Sequence, residues 1–110
     1  MTVNDMKDAL GLEILVEGDL SRSVTGGYCG DLLSWVMGRA QSGDAWITVM
    51  GNVNAIAVCV LADVACLILS DSSPLDEAAR ARATTEEITV LRSDKNTYQL
   101  ATALSRLLDS

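Results

Sequence analysis

The alternation of short apolar runs with helical segments constrains the fold of this chain more than any other feature. Four runs are predicted as strands, and they begin near residues 13, 45, 67 and 88. The runs are continuously apolar, which is typical of strands covered by helices on both faces. Alternation of strands and helices predicts a parallel sheet with right-handed crossovers. We therefore expect an α/β fold, specifically a three-layer α/β/α domain with a mainly parallel four-stranded sheet.

The element boundaries follow from periodicity and from capping residues. The predicted strands are Glu13–Val16, Ala45–Met50, Cys66–Leu69 and Ile88–Leu91. The predicted helices are Thr2–Leu10, Asp31–Ala40, Val53–Val64, a helix with Ser73 as N-cap and Pro74 at its first position, and Asn96–Leu108.

Length and charge limit the classes of function. A chain of 110 residues corresponds to a single domain, residues 1–110, and its 49% hydrophobic content can form a core. Eight basic residues against fifteen acidic ones give a net charge of −7. That balance argues against nucleic acid or an anionic membrane surface as the main partner, because both require a high density of cations. A local anion site remains open if backbone donors and a single arginine form it.

The cysteine and histidine content narrows the chemistry. There are three cysteines with no Cys-x-x-Cys pair, so reduced thiols in a cytoplasmic protein are the simplest interpretation. No signal-peptide layout and no apolar run of about 20 residues is present, so no membrane segment is expected. The chain has no histidine, which removes Ser-His-Asp and Cys-His catalysis and most zinc sites. We expect neither a metal nor a cofactor.

Polar loops follow all four predicted strands. In open parallel sheets, ligands bind outside the carboxyl ends of the strands, and these loops should meet at that edge. The alternative is that their residues act only as helix N-caps and turn formers. The loops comprise residues 19–31, 51–54, 70–73 and 92–96.

The first of these loops is rich in glycine. Gly26 and Gly27 follow Thr25, and paired glycines let the backbone turn so that several N–H groups point at one spot. This geometry suits an anion or a phosphate, and it equally suits a plain tight turn.

Several segments carry a resemblance to a known family. They are Arg22–Gly27, Tyr28–Leu33, Gly43–Val49 and Ala65–Ser70. Together they resemble the DRTGG domain family over nearly the whole chain, and they are similar to the N-terminal domain of HPr kinase/phosphorylase and to modules in CBS-domain pyrophosphatases. The resemblance implies a regulatory role, with subunit contacts and in some members an adenine-nucleotide site nearby.

The chain departs from the family pattern at one position. Val24 precedes Thr25 where the family has arginine, and Arg22 stands three residues before the threonine. The catalytic part of HPr kinase is absent, and no Gly-x-x-x-x-Gly-Lys-Ser/Thr string occurs, which excludes P-loop phosphoryl transfer.

The leading hypothesis is a non-catalytic regulatory module that binds a small anionic ligand, such as an adenine nucleotide, and associates with itself. Thr25, Gly26 and Gly27 would supply hydroxyl and backbone donors, and Arg22 would supply charge. The remaining candidate ligand-binding residues are Asn52, Asn54, Ser72 and Asp94.

Two alternatives remain open. One is a homodimeric protein–protein interaction domain without a small ligand, with the helix Val53–Val64 or Trp35 at the interface. The other is an enzyme, which we disfavour because no histidine or well-placed lysine would activate a nucleophile. Its candidate nucleophiles are Cys29, Ser72 and Ser73, with Cys29 near a predicted helix N-terminus, and its candidate bases are Asp19, Asp31, Asp71 and Asp94.

Overall fold

A five-stranded sheet lies between two layers of helices in the computed structural model, which describes residues 1–110. The strands follow the order β1-β5-β4-β3-β2 across the sheet. In chain order the elements are α1 (Val3–Leu10), β1 (Glu13–Val16), β2 (Gly26–Cys29), α2 (Leu33–Arg39), β3 (Asp44–Thr48), α3 (Val53–Ala62), β4 (Cys66–Leu69), α4 (Glu77–Glu86), β5 (Val90–Arg92) and α5 (Thr97–Leu108).

The hydrophobic core is divided by the sheet into two parts. On one face α1 and α5 bury residues such as Met6 and Leu104 against Ile47 of β3. On the other face α2, α3 and α4 pack against residues such as Trp46 and Leu67. Because successive strand residues point to opposite faces, Trp46 and Ile47 belong to different cores. This arrangement confirms the three-layer α/β/α prediction.

The sheet differs from the prediction in two respects. It has a fifth strand, β2, because the segment from Gly26 to Cys29 pairs with β3 in parallel. In addition, β1 runs antiparallel to β5, with Glu13 opposite Arg92. A helix between two successive strands is what makes those strands run parallel. No helix lies between β1 and β2, so β1 is free to run against the other strands. The other three strand pairs are parallel.

Helix boundaries largely follow the capping residues. Asn96 accepts a hydrogen bond from the Gln99 amide at the start of α5, and Gly11 ends α1 in the left-handed conformation with φ of 65°. The prediction that Ser73 and Pro74 open α4 is wrong. Its N-cap is Asp76, whose carboxylate accepts a hydrogen bond from the Ala79 amide at 2.8 Å.

The exposure of the apolar residues is uneven. Trp46 is fully buried, whereas Trp35 is 54% exposed. The helix α3 has Asn54 as its one polar residue, and its Leu61 side chain is nevertheless 69% exposed. None of the five helices has the length and apolar character needed to cross a bilayer.

Candidate functional site

The glycine loop lies at the amino edge of the parallel strands, not at the carboxyl edge where it was expected. Because β1 is antiparallel to β5, the end of β1 is level with the start of β5, and Val16 faces Val90. The loop then runs along this edge to the start of β2. The eight candidate ligand-binding residues are therefore divided between opposite edges of the sheet. Arg22, Thr25, Gly26 and Gly27 lie at the amino edge, and Asn52, Asn54, Ser72 and Asp94 lie at the carboxyl edge.

Arg22 is engaged by the protein itself. Its Nη1 donates to Oδ1 of Asp63 at 2.9 Å, and its Nη2 donates to the Asp63 main-chain carbonyl at 2.7 Å. The Ser42 hydroxyl donates to the same carboxylate. The hydrogen bond from Arg22, assisted by that from Ser42, lowers the pKa of Asp63. Arg22 thus ties the loop to the end of α3, where Asp63 is the C-cap.

The glycines of the motif have packing roles. A Cβ on Gly26 would lie 2.6 Å from Oδ1 of Asp44, and one on Gly27 would lie 2.8 Å from the Leu104 side chain. Neither residue has a positive φ. The two glycines therefore allow the Asp44 and Leu104 side chains to approach the backbone closely, and the geometry does not form the phosphate-cradling turn that the sequence suggested.

The amino edge is also electrostatically unsuited to an anion. A depression of about 290 Å³ there is lined by one cation, Arg22, and by four carboxylates. The C-termini of α3 and α4 point to this edge and add partial negative charge. The four carboxylates are those of Asp19, Asp63, Glu86 and Glu87.

The carboxyl edge brings two of the candidate residues together. The Ser72 amide donates to the Ser93 carbonyl at 2.8 Å, and the Asp71 amide donates to the Lys95 carbonyl at 2.9 Å. The loops after β4 and β5 are thereby joined. Ser72 and Asp94 line a shared depression of about 320 Å³, next to the ion pair between Arg92 and Glu13.

The two asparagines lie at the neighbouring loop and differ in role. The Asn52 side chain caps α3 by accepting from the Ala55 amide at 2.9 Å, as the capping alternative had anticipated. Asn54 is exposed in the first turn of α3, and its side chain makes no hydrogen bond within the protein.

Two residues of the carboxyl edge were missed from the sequence. Lys95 is exposed and forms no ion pair. Tyr98, in the first turn of α5, is 79% exposed. The signal for Tyr98 was available, since an aromatic residue that lies off the apolar stripe of its helix is not needed for the core. The main-chain amides of Thr97 and Tyr98 have no partner within the protein.

No hydrogen bond joins a candidate nucleophile to a candidate base, although Ser72 and Asp94 line the same depression. Cys29 lies on β2 and not at a helix N-terminus, and the partial desolvation of its thiol, together with the nearby Asp31 carboxylate, raises its pKa. The Asp31 carboxylate accepts hydrogen bonds from the Thr48 hydroxyl and the Val49 amide. Asp19 accepts from Ser21 at the opposite edge from Asp71 and Asp94. No group of three or more potential metal ligands is present.

The fold defines the chain as a three-layer α/β module. The family model of the DRTGG domain matches residues 5–107. The chain belongs to the DRTGG domain family, as the resemblance of its motifs predicted. The narrower likeness to HPr kinase/phosphorylase stays a prediction.

A solved structure of similar fold provides a second comparison. It is the crystal structure of the CBS and DRTGG domains of the regulatory region of a Clostridium perfringens pyrophosphatase, complexed with its activator diadenosine tetraphosphate. The TM-score is 0.66 at 14% sequence identity, and the match covers 97% of this chain and 45% of that chain. This chain therefore corresponds to less than half of that structure. No curated protein matches the sequence.

Proposed function

We propose that this chain is a non-catalytic regulatory module of the cytoplasm that binds a small anionic ligand at the carboxyl edge and associates with itself. The observation that carries the ligand proposal is the group of free donors at the start of α5. The amides of Thr97 and Tyr98 have no partner within the protein. Lys95, whose ammonium group forms no ion pair, lies two residues before Thr97 in the chain. Helix N-termini favour negative charge at such a position.

An adenine nucleotide suits this edge better than a simple anion does. The exposed ring of Tyr98 adjoins the donors and offers a flat surface on which a base can stack. The similar pyrophosphatase structure was determined with an adenine-containing activator, diadenosine tetraphosphate, which supports the choice of ligand class. Ser72 and Asp94 would line the same edge, with Asn54 over the neighbouring strand.

Calorimetric titration with AMP, ADP, ATP and diadenosine tetraphosphate tests the proposal. We expect saturable binding of at least one nucleotide. Lys95→Ala should weaken it roughly tenfold to a hundredfold, since a charge-assisted hydrogen bond contributes about 1.5–3 kcal/mol. Tyr98→Ala should weaken it by a similar factor, and Tyr98→Phe should not, because base stacking depends on the ring.

The matched control is Arg106→Ala. Arg106 is an exposed cation without an ion pair in the last turn of the same helix, so its removal changes net charge equally at the other end of α5. Equal weakening by Lys95→Ala and Arg106→Ala would point to a general charge effect and contradict a site at the carboxyl edge.

A second candidate function is a pure interaction domain that associates with itself and binds no nucleotide. It is favoured by a set of large apolar side chains that remain exposed on the side of the sheet covered by α2, α3 and α4. They include Leu32, Trp35, Met37, Val60 and Leu61. Sedimentation velocity at micromolar concentration should give a dimer under either candidate. A dimer that binds none of the four nucleotides would favour the second, and a monomer would exclude self-association.

A further inference from the structure

The two outer strands of the sheet, β1 and β2, differ in whether their free edges are protected against pairing with another chain. At β1, the register shifts between Ile14 and Val16, and Nη1 of Arg80 donates to the Leu15 main-chain carbonyl at 2.6 Å. Bulges and charged side chains are devices that prevent an edge strand from pairing with another chain. The β1 edge is therefore blocked.

The β2 edge has no such protection. The Gly30 amide donates to the Ile47 carbonyl, and backbone groups alternate in direction along a strand, so the N–H and C=O groups of Gly27 and Cys29 point away from β3. The four residues of β2 include no proline and no charged side chain. Gly27 and Cys29 are both exposed.

The surfaces on either side of the β2 edge are largely apolar, and the one cation of α2, Arg39, lies over the Trp35 ring at 3.8 Å. The helix α2 is the outermost helix of its layer, next to α3 only, and it exposes Trp35 and Met37. On the other face, a crevice of about 240 Å³ lies between β2 and α5, with Asp109 as its one charged lining residue. From Ser23 to Gly38 the single charged residue is Asp31, in a chain whose net charge is −7.

From this contrast we infer that β2 pairs antiparallel with β2 of a second copy of the chain, giving one continuous ten-stranded sheet. In the register that places Gly27 opposite Cys29 of the second copy, all outward-pointing groups of both strands are matched, and four main-chain hydrogen bonds form. The two-fold axis then passes beside Tyr28. This inference rests on the self-association proposed above and names its surface.

The flanking surfaces explain why the occupant is a second copy. A specific interface buries roughly 800 Å² on each partner, which a four-residue strand edge does not supply alone. A two-fold axis at Tyr28 brings α2 toward its symmetry mate on one face and joins the two α5 crevices on the other. The apolar surfaces beside β2 thus pack against the same surfaces of the second copy. Most of the negative charge of both chains stays outside the contact.

Cysteine cross-linking tests this geometry. In the proposed register Tyr28 faces Tyr28 of the second copy at a non-hydrogen-bonded position, where Cα atoms lie roughly 4.5 Å apart and a disulfide can form. Tyr28→Cys in a Cys29→Ser background should give a disulfide-linked dimer under mild oxidation. Leu61→Cys in the same background is the matched control for an interface on α3, and it should remain monomeric on a non-reducing gel. Cys59 and Cys66 are buried and present in both variants.

Native Cys29 provides a second measurement that does not depend on a substitution. In the proposed strand pair, Cys29 and Cys29 of the second copy are diagonal neighbours, roughly 7–8 Å apart. A bismaleimide of that span should therefore link wild-type chains. Cross-linking through Leu61→Cys and not through residues 28 or 29 would overturn the strand pairing while leaving self-association intact. A monomer in sedimentation, with no cross-link at any position, would overturn both.

Discussion

The two edges formed by the ends of the parallel strands are made of similar polar residue types, yet their polar groups differ in how far the protein itself engages them. At the amino edge Arg22 is paired with Asp63, and Gly26 and Gly27 provide room for Asp44 and Leu104. At the carboxyl edge the start of α5 retains unpaired amides, a free ammonium and an exposed ring. A glycine-rich sequence motif can thus mark a packing site, and the proposed ligand site lies at the other end of the strands.

The largest expected effect is that of Gly51→Ala at the carboxyl edge. A Cβ at this position would overlap the main-chain carbonyl of Pro74, so the loops after β3 and β4 would have to separate. We expect the free energy of unfolding to fall by about 3 kcal/mol, at the upper end of the cost of overpacking. Chemical denaturation measures it.

Gly38→Ala is the control for that substitution. Gly38 lies within α2, and a Cβ there would meet nothing within 4 Å. Alanine should stabilise the helix by up to about 1 kcal/mol. Equal effects of the two substitutions would contradict the close packing of loops at the carboxyl edge.

The next effect concerns Arg22→Ala at the amino edge. It removes the ion pair with Asp63 and the hydrogen bond to the Asp63 carbonyl, both partly exposed to solvent. We expect a loss of about 1 kcal/mol in the free energy of unfolding, with nucleotide affinity unchanged in calorimetry. Loss of nucleotide binding without loss of stability would transfer the ligand site to the amino edge.

The smallest effect is a pH dependence at the same contact. The pKa of Asp63 is lowered in the folded state, so its ionised form stabilises the fold above the ordinary carboxyl range, and this contribution is lost as the pH falls through the lowered value. Asp63→Asn should therefore be less stable than the wild type at neutral pH and should approach it in acid. Thermal unfolding across the pH range measures the difference, and a gap that persists in acid would contradict this role.

The sequence predicts those parts of the fold that local rules determine. The boundaries of β4 (Cys66–Leu69) were predicted correctly because four apolar residues between polar loops have few alternatives. The strand β2 was missed because glycine and cysteine carry no strand signal, and its hydrogen bonds come from β3. That omission, together with the direction of β1, placed the glycine loop at the wrong edge. The order and direction of strands depend on contacts between residues distant in the chain, which local sequence patterns do not contain.

The candidate site was predictable only in part, for the same reason. Ser72 and Asp94 were selected as loop residues, and they meet because β4 and β5 are neighbours in the sheet. Asn52 caps α3. The sequence cannot distinguish an asparagine that caps a helix from one that binds a ligand, because both occur at the same position of a loop. Lys95 could be recognised as free only once the ion pairs of the fold were known.

An amide-resolved NMR titration distinguishes a ligand site at the carboxyl edge from one at the amino edge. With ¹⁵N-labelled protein and ATP, we expect chemical-shift changes at the amides of residues 93–98 and 70–73, which saturate together. The amides from Arg22 to Gly27 should not move. Shifts confined to residues 22–27, or a spectrum unchanged at millimolar ATP and diadenosine tetraphosphate, would contradict a nucleotide site at the carboxyl edge.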